Sequence, residues 1–213
     1  MTASSLPDDS DLVHRSQRGD LGSFNLLVER YQGRVFNLAL RMLGNSQGAD
    51  DATQDAFISA YRGIGRFRGG SFRAWILRIT ANACYDALRA VKRRPTVPLE
   101  VVDTSPQDLP GSSAPPESPE EYALRQELSR SLQVALSRLP SEQRLVVVLS
   151  DIQGYSYEEI AQITRSSLGT VKSRLNRGRS KVREYVLQSR ELFPEYQRLI
   201  SSEEKGAPGE QDR

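Results

Sequence analysis

Between Arg165 and Arg183 the chain carries seven basic side chains and no acidic one, in the string RSSLGTVKSRLNRGRSKVR. Such a segment has the chemistry to recognise a polyanion through hydrogen bonds. Lys and Arg bond guanine O6 and N7, Asn bonds adenine N6 and N7, and hydroxyls serve bases or phosphates. The spacing sharpens this. Val171, Leu175, Gly178 and Val182 recur at helical intervals and form one apolar face. The opposite face then presents Lys172, Ser173, Asn176, Arg177 and Ser180, flanked by Arg174, Arg179, Lys181 and Arg183. Burial of the stripe accounts for the apolar residues and leaves the surplus charge unexplained. A plain solvated face is the rival reading, since cationic side chains readily cover apolar surface. Ordinary solvated faces mix signs, however, and this one does not.

A second charged region lies upstream. From Arg62 to Arg94 nine basic residues stand against Asp86 alone, whereas Asp50, Asp51 and Asp55 cluster just before them. One pole suits a nucleic acid and the other a basic protein surface. The joining segment RGIGRFRGGSFRAW contains Arg66, Phe67, Arg68 and Arg73, a set able to contact phosphates and unstacked bases. Trp75 is either a stacking platform or, in register with Phe72 and Ile79, a packing residue. The glycines fail as a phosphate loop, because their spacing is wrong and no Lys-Ser/Thr follows. Asp51 and Asp55 share a helical face but lack a third ligand or a partner that would tune them for catalysis. One cysteine, Cys84, excludes an intramolecular disulfide, and with one histidine, His14, the usual soft-metal sites lack ligands. His14 reads as a surface or cap residue and Cys84 as a buried one. No catalytic residue, metal or cofactor is expected.

These groups need helices to place them. Phe24, Leu27, Val28, Tyr31, Val35, Leu38, Ala39 and Met42 follow helical spacing, and Gly44-Asn45 offers a stop. A second helix is expected from Ala49 to Arg62 and a third from Ser71 to Arg94, where Pro95 blocks continuation. Seven of the eleven prolines then fall between Pro95 and Pro119, and the span 95–121 holds six acidic residues and no basic one. Such a segment cannot offset its ordering entropy by burial and reads as a linker. Beyond it, Ser118 caps a helix running to about Leu139, and Ser141 is expected to cap another containing EQRLVVVLSDI. The β-branched run favours a strand locally, but no second strand lies nearby to pair with it. Ser156-Tyr157-Glu158-Glu159 forms a capping box for a short helix with Ile160 and Ile163, and a turn over 165–167 leads to the basic helix. The expectation is an all-α chain: a first domain over 10–94, a linker over 95–120, a helix-turn-helix domain over 121–187 and a tail over 188–213. The polar, acidic start MTASSLPDDSDL has no secretory pattern, and a cytoplasmic address without membrane insertion is expected.

With both halves in view, the chain resembles the bacterial extracytoplasmic-function (ECF) sigma factors of the sigma-70 superfamily. The match runs through FNLLVERYQGRVFNLALRMLGNSQGADDATQDAFISAYRGIGRFRGGSFRAWILRITANACYDALRAVKRR and ALSRLPSEQRLVVVLSDIQGYSYEEIAQITRSSLGTVKSRLNRGRSKVREYV, about two thirds of the chain. The resemblance implies a promoter-specificity subunit with sigma-2 and sigma-4 domains, acting without covalent chemistry of its own. It implies that Asp50, Asp51, Gln54, Asp55 and Phe57 engage the clamp helices of the polymerase largest subunit, with Phe57 alternatively serving the core, and that the polymerase flap is a further partner. It implies that Arg66, Phe67 and Arg68, with Arg73, Asn82 and Asp86, hold single-stranded −10 DNA. The −35 duplex falls to Thr170, Lys172, Ser173, Asn176, Arg177 and Arg179. Members of this class are often held inactive by an anti-sigma factor, commonly membrane-bound. The turn Thr164-Arg165-Ser166-Ser167 departs from the Leu-Gly-Ile-Pro-like string usual in the family; a left-handed Arg165 would cost about 1 kcal/mol relative to glycine. The rival of another class is a stand-alone helix-turn-helix regulator with an N-terminal sensing or dimerising half. A small metal-dependent nucleic-acid enzyme is the third.

Overall fold

The computed structural model describes residues 7–93 and 119–190. Among them the chain is all α: α1 (Asp9–Gln17), α2 (Leu21–Leu43), α3 (Ser46–Gly63), a single 3-10 turn (Ile64–Arg66), α4 (Phe72–Arg93), α5 (Pro119–Ser137), α6 (Ser141–Val147), α7 (Tyr157–Thr164) and α8 (Leu168–Arg190). The proline-rich span 95–118 and the tail from 191 lie outside the described residues.

Local chemistry sets most boundaries. The Asp20 carboxylate accepts from the Ser23 N–H at 3.2 Å and opens α2. Gly44, at φ 83°, closes it in the left-handed conformation that glycine tolerates. Asn45 then accepts from the Gly48 N–H at 2.7 Å, so α3 begins at Ser46, earlier than Ala49. Ser71 caps α4 through the Ala74 N–H at 3.1 Å. Ser141 is not a cap but the first helical residue of α6; the Gln143 and Arg144 N–H groups both donate to Pro140 O at 2.9 Å.

The valine run is helical, as its isolation predicts. α6 continues through Val148–Ile152 in a widened turn, where the Gln153 N–H reaches back five residues to Val148 O at 3.0 Å. Val146, Val147, Val148 and Leu149 are all buried. The run is apolar because it is enclosed by helices on its sides, which a strand without a partner could not achieve.

Two cores result. One joins α1 to the first halves of α2 and α4 and the end of α3, through Leu12, Val13, Phe24, Leu27, Tyr31, Val35, Phe57 and Ile76. The other is continuous across the two halves of the chain: Leu38, Met42, Leu77, Ala81 and Cys84 pack with Leu136, Leu145, Val148, Ile160, Val171 and Leu175. The two helical domains therefore pack on each other as well as within themselves. Patterning finds apolar faces but does not say whether such a face closes on its own domain or on the other.

The two halves also cap each other's helices. Arg144, 7% exposed, donates through Nη1 to Met42 O at the end of α2 and through Nη2 to Ser137 O at 2.6 Å. Gln133 Nε2 donates to Arg41 O at 3.2 Å. In return, Arg78 on α4 donates to Ile163 O at 3.1 Å and Gln162 O at 2.5 Å at the end of α7. Cations at helix C-termini satisfy orphan carbonyls and meet the favourable end of the dipole.

Candidate nucleic-acid interface

α7, its turn and α8 form a helix-turn-helix. Both arms of the capping box are present at the start of α7: the Glu159 N–H donates to Ser156 Oγ at 3.2 Å and the Ser156 N–H to Glu159 Oε2 at 2.9 Å. Arg165 closes α7 at φ 51° and ψ 43°, the left-handed position that the sequence assigned to it conditionally. Its neighbours fasten the turn, with the Ser166 N–H donating to Ala161 O at 3.1 Å and the Thr164 and Ser166 hydroxyls 2.7 Å apart. Ser167 then caps α8 by accepting from the Thr170 N–H at 3.2 Å.

The helix is seated on its apolar stripe. Val171 and Leu175 are buried, Val182 is half-buried, and Gly178 meets α6 so closely that an added Cβ would lie 2.6 Å from Val147 Cγ2. Its support is thus α6 as well as the Ile160 and Ile163 of α7. Opposite, Lys172, Ser173, Asn176 and Arg177 are exposed. No ion pair among the described residues involves Lys172 or Arg177. The remaining candidates are engaged. Thr170 is half-buried with its hydroxyl 2.9 Å from Ser167 Oγ, and Arg179 makes a bidentate pair with Asp151 at 3.0 and 2.6 Å. That pairing lowers the Asp151 pKa, the hydrogen bonds from Arg179 being the main cause. Arg174 pairs with Glu142.

In the first half, Arg66 and Arg68 project from the loop between α3 and α4 and are exposed. Phe67 is half-buried, its ring centre 5.0 Å from that of Trp75 and 6.2 Å from that of Phe72. Trp75 is therefore a packing residue that supports Phe67 from below. Gly69 and Gly70, both at φ near 90° (89° and 91°), let the chain turn back into α4. Arg73 is turned toward the second half: it pairs with Glu159, and its guanidinium lies 5.2 Å from the Tyr155 ring centre. Asn82 is exposed on α4, and Asp86 pairs with Arg89.

A groove of about 950 Å³ between α3 and α4 is lined by Asp51, Asp55, Arg66, Trp75, Asn82 and Asp86, among others. It brings part of the acidic set and part of the loop set together, which linear spacing did not indicate. Asp50 and Gln54 are also exposed on α3. Phe57, offered as polymerase contact or core residue, is 9% exposed and packed in the α1–α4 core. No group of three or more His, Cys, Asp and Glu side chains among the described residues is placed to hold a metal, and no described helix is long and apolar enough to cross a membrane. Sequence reasoning missed Arg144, although a lone cation at the edge of an apolar run is a signal for a buried, satisfied guanidinium. It also missed the Arg73–Glu159 pair, for which the sequence offers no signal.

Comparison with known proteins agrees with this architecture. Residues 27–94 match the Sigma-70 region 2 family and residues 129–182 the Sigma-70, region 4 family. The chain is 38% identical over 177 residues to the RNA polymerase sigma-H factor of Pseudomonas aeruginosa, covering 82% of this chain and 91% of that protein. It is 37% identical over 176 residues to the ECF RNA polymerase sigma-E factor of Escherichia coli strain K12, covering 82% and 92%. Among solved structures it is similar to CnrH in complex with the cytosolic domain of CnrY, with a TM-score of 0.61, 27% identity and coverage of 84% and 96%. The chain belongs to the sigma-70 family, within its ECF sigma factors, and so directs RNA polymerase to promoters as a binding subunit and not as an enzyme.

Proposed function

We propose that α8 reads the −35 duplex with Lys172, Ser173, Asn176 and Arg177, while the loop after α3 holds single-stranded −10 DNA with Arg66, Phe67 and Arg68. The observation that carries this reading is the exposed polar face of α8 set against a buried apolar one. A helix so seated enters the major groove as a rigid body. Thr170 and Arg179 act through phosphates at most, since both already have partners within the fold. Arg73, Asn82 and Asp86 extend the −10 surface along α4. The exposed acids Asp50, Asp51 and Asp55, with Gln54, face the clamp helices of core polymerase, and the sigma-4 half (121–187) meets the flap. The protein acts in the cytoplasm, where an anti-sigma factor restrains it.

The packed arrangement is the unengaged form. The −35 and −10 elements are about 25 base pairs apart, or about 85 Å of duplex at about 3.4 Å per pair. Halves that share one core cannot grip both at once, so Arg73 must leave Glu159 when the protein engages a promoter. The span 95–120 reaches at most about 90 Å when extended, enough to let them part. Binding energy gained on exposed bases then favours the open promoter. Run-off transcription by core polymerase from a cognate promoter, with and without this chain, tests the reading. Promoter-specific transcripts should appear only with it, and vanish when either element is scrambled; equal output in all cases would sink the proposal.

A further inference from the structure

One half-buried amide is used by nothing in the account so far. Gln17 is the last residue of α1, a helix outside the residues that match the region 2 family. Its Nε2 donates to Ile64 O at 3.0 Å and to Phe67 O at 2.8 Å, so both protons of the amide go to the two ends of the turn that carries Arg66 and Phe67. Besides the packing of Ile64 and the Phe67 ring, the turn has a hydrogen bond of its own, from the Phe67 N–H to Ile64 O at 3.0 Å, and Gly65, Gly69 and Gly70 surround it. Glycines leave a loop with many accessible conformers, so an external tie removes entropy that capture of a base would otherwise have to overcome.

The tie is itself anchored. Leu12, Val13 and Ser16 are buried beneath α1, Arg30 donates to Pro7 O at 2.9 Å, and Asp9 accepts from both Arg30 and Tyr31. From this geometry we propose that Gln17 is a positioning residue for −10 capture, holding the Ile64–Phe67 turn in its binding shape from a helix that does not itself touch DNA. The proposal rests on the reading that Arg66, Phe67 and Arg68 contact −10 bases. Only a side chain with two N–H donors on one atom, at this reach, satisfies two carbonyls together. A carboxylate of equal size would present oxygens to oxygens.

The test is a double-mutant cycle on holoenzyme, scored by open-complex yield on a duplex promoter, with core affinity and thermal unfolding measured alongside. Gln17→Glu and Gln17→Met keep the side chain's volume and remove the donors. Each should lower open-complex yield about tenfold, Gln17→Glu the more, with core affinity and unfolding temperature unchanged. Combined with Phe67→Ala, Gln17→Glu should add nothing beyond the larger single loss. If Phe67→Ala loses yield while Gln17→Glu stays within twofold of the parent, or if the two losses multiply, the proposal is overturned. It also falls if core affinity drops in parallel. If Phe67→Ala, Arg66→Ala and Arg68→Ala all leave yield intact, the underlying −10 reading is what fails.

Discussion

The two surfaces proposed to meet nucleic acid are built on opposite plans. On α8 the proposed reading residues sit on one continuous helix, and the polar and apolar faces are set by a single periodicity. The proposed −10 surface is a composite: the turn over 64–66, α4 behind it, α1 tying it through Gln17, and Glu159 of the other half occupying Arg73. A rigid helix is ready before its ligand arrives and loses little entropy on binding. A composite loop must be assembled, and here part of it must also be released.

The comparison breaks most sharply under paired substitution. Arg66→Ala, Phe67→Ala and Arg68→Ala together should lower promoter-specific transcription about a hundredfold or more, since base stacking alone is worth about 1–3 kcal/mol per base. Asn176→Ala with Arg177→Ala should cost about ten- to a hundredfold, at about 1–3 kcal/mol per bidentate contact. On a fork template lacking −35 duplex the α8 pair should match the parent, while the loop triple remains defective. Loss by both sets on that template would mean the surfaces do not divide the work.

An effect on stability probes release. Removing Arg144 leaves Met42 O without the cation that caps it, and Arg144→Ala should weaken the shared core by about 3 kcal/mol, at about 1.5–3 kcal/mol per hydrogen bond to a charged group. Cys84 reports it. Burial pushes that thiol up to about 12, so in the packed form it is both enclosed and un-ionised at neutral pH. Alkylation should be slow in the parent, faster in Arg144→Ala, and faster in the parent once core polymerase is added. Unchanged labelling on polymerase binding would argue that the halves stay together.

The smallest effect concerns the angle of α8. Arg165 is the one non-glycine residue with positive φ among the described residues, and its charge opposes that of Arg78. Arg165→Gly should raise stability in urea unfolding by up to about 1 kcal/mol, part of the gain being offset by the freer unfolded chain. A decrease would show that the Arg165 side chain contributes more than the turn costs.

Much of this was legible residue by residue. The Ser156–Glu159 box, the Gly44 stop and the divided faces of α8 all follow from interactions within a turn or two, and each occurs where the sequence put it. Phe57 was ambiguous because an aromatic on a helix surface and one turned into the core have the same local spacing. Arg73 was expected among the DNA contacts, and its present partner, Glu159, is 86 residues away. Arg179 stood among the −35 contacts because the pattern placed it on a flank, but the pattern could not show that Asp151 is within reach.

The sequence by itself determined the helices, several of their caps, the fold class and the family, because each depends on periodicity and on side chains bonding nearby backbone. Only the tertiary structure decided that both halves share a core, that Arg144 caps a helix 102 residues away, and that Gln17 ties a turn beyond α3. Helix-end carbonyls are the same in every sequence and look alike to any donor, so which distant side chain satisfies them is settled by packing alone.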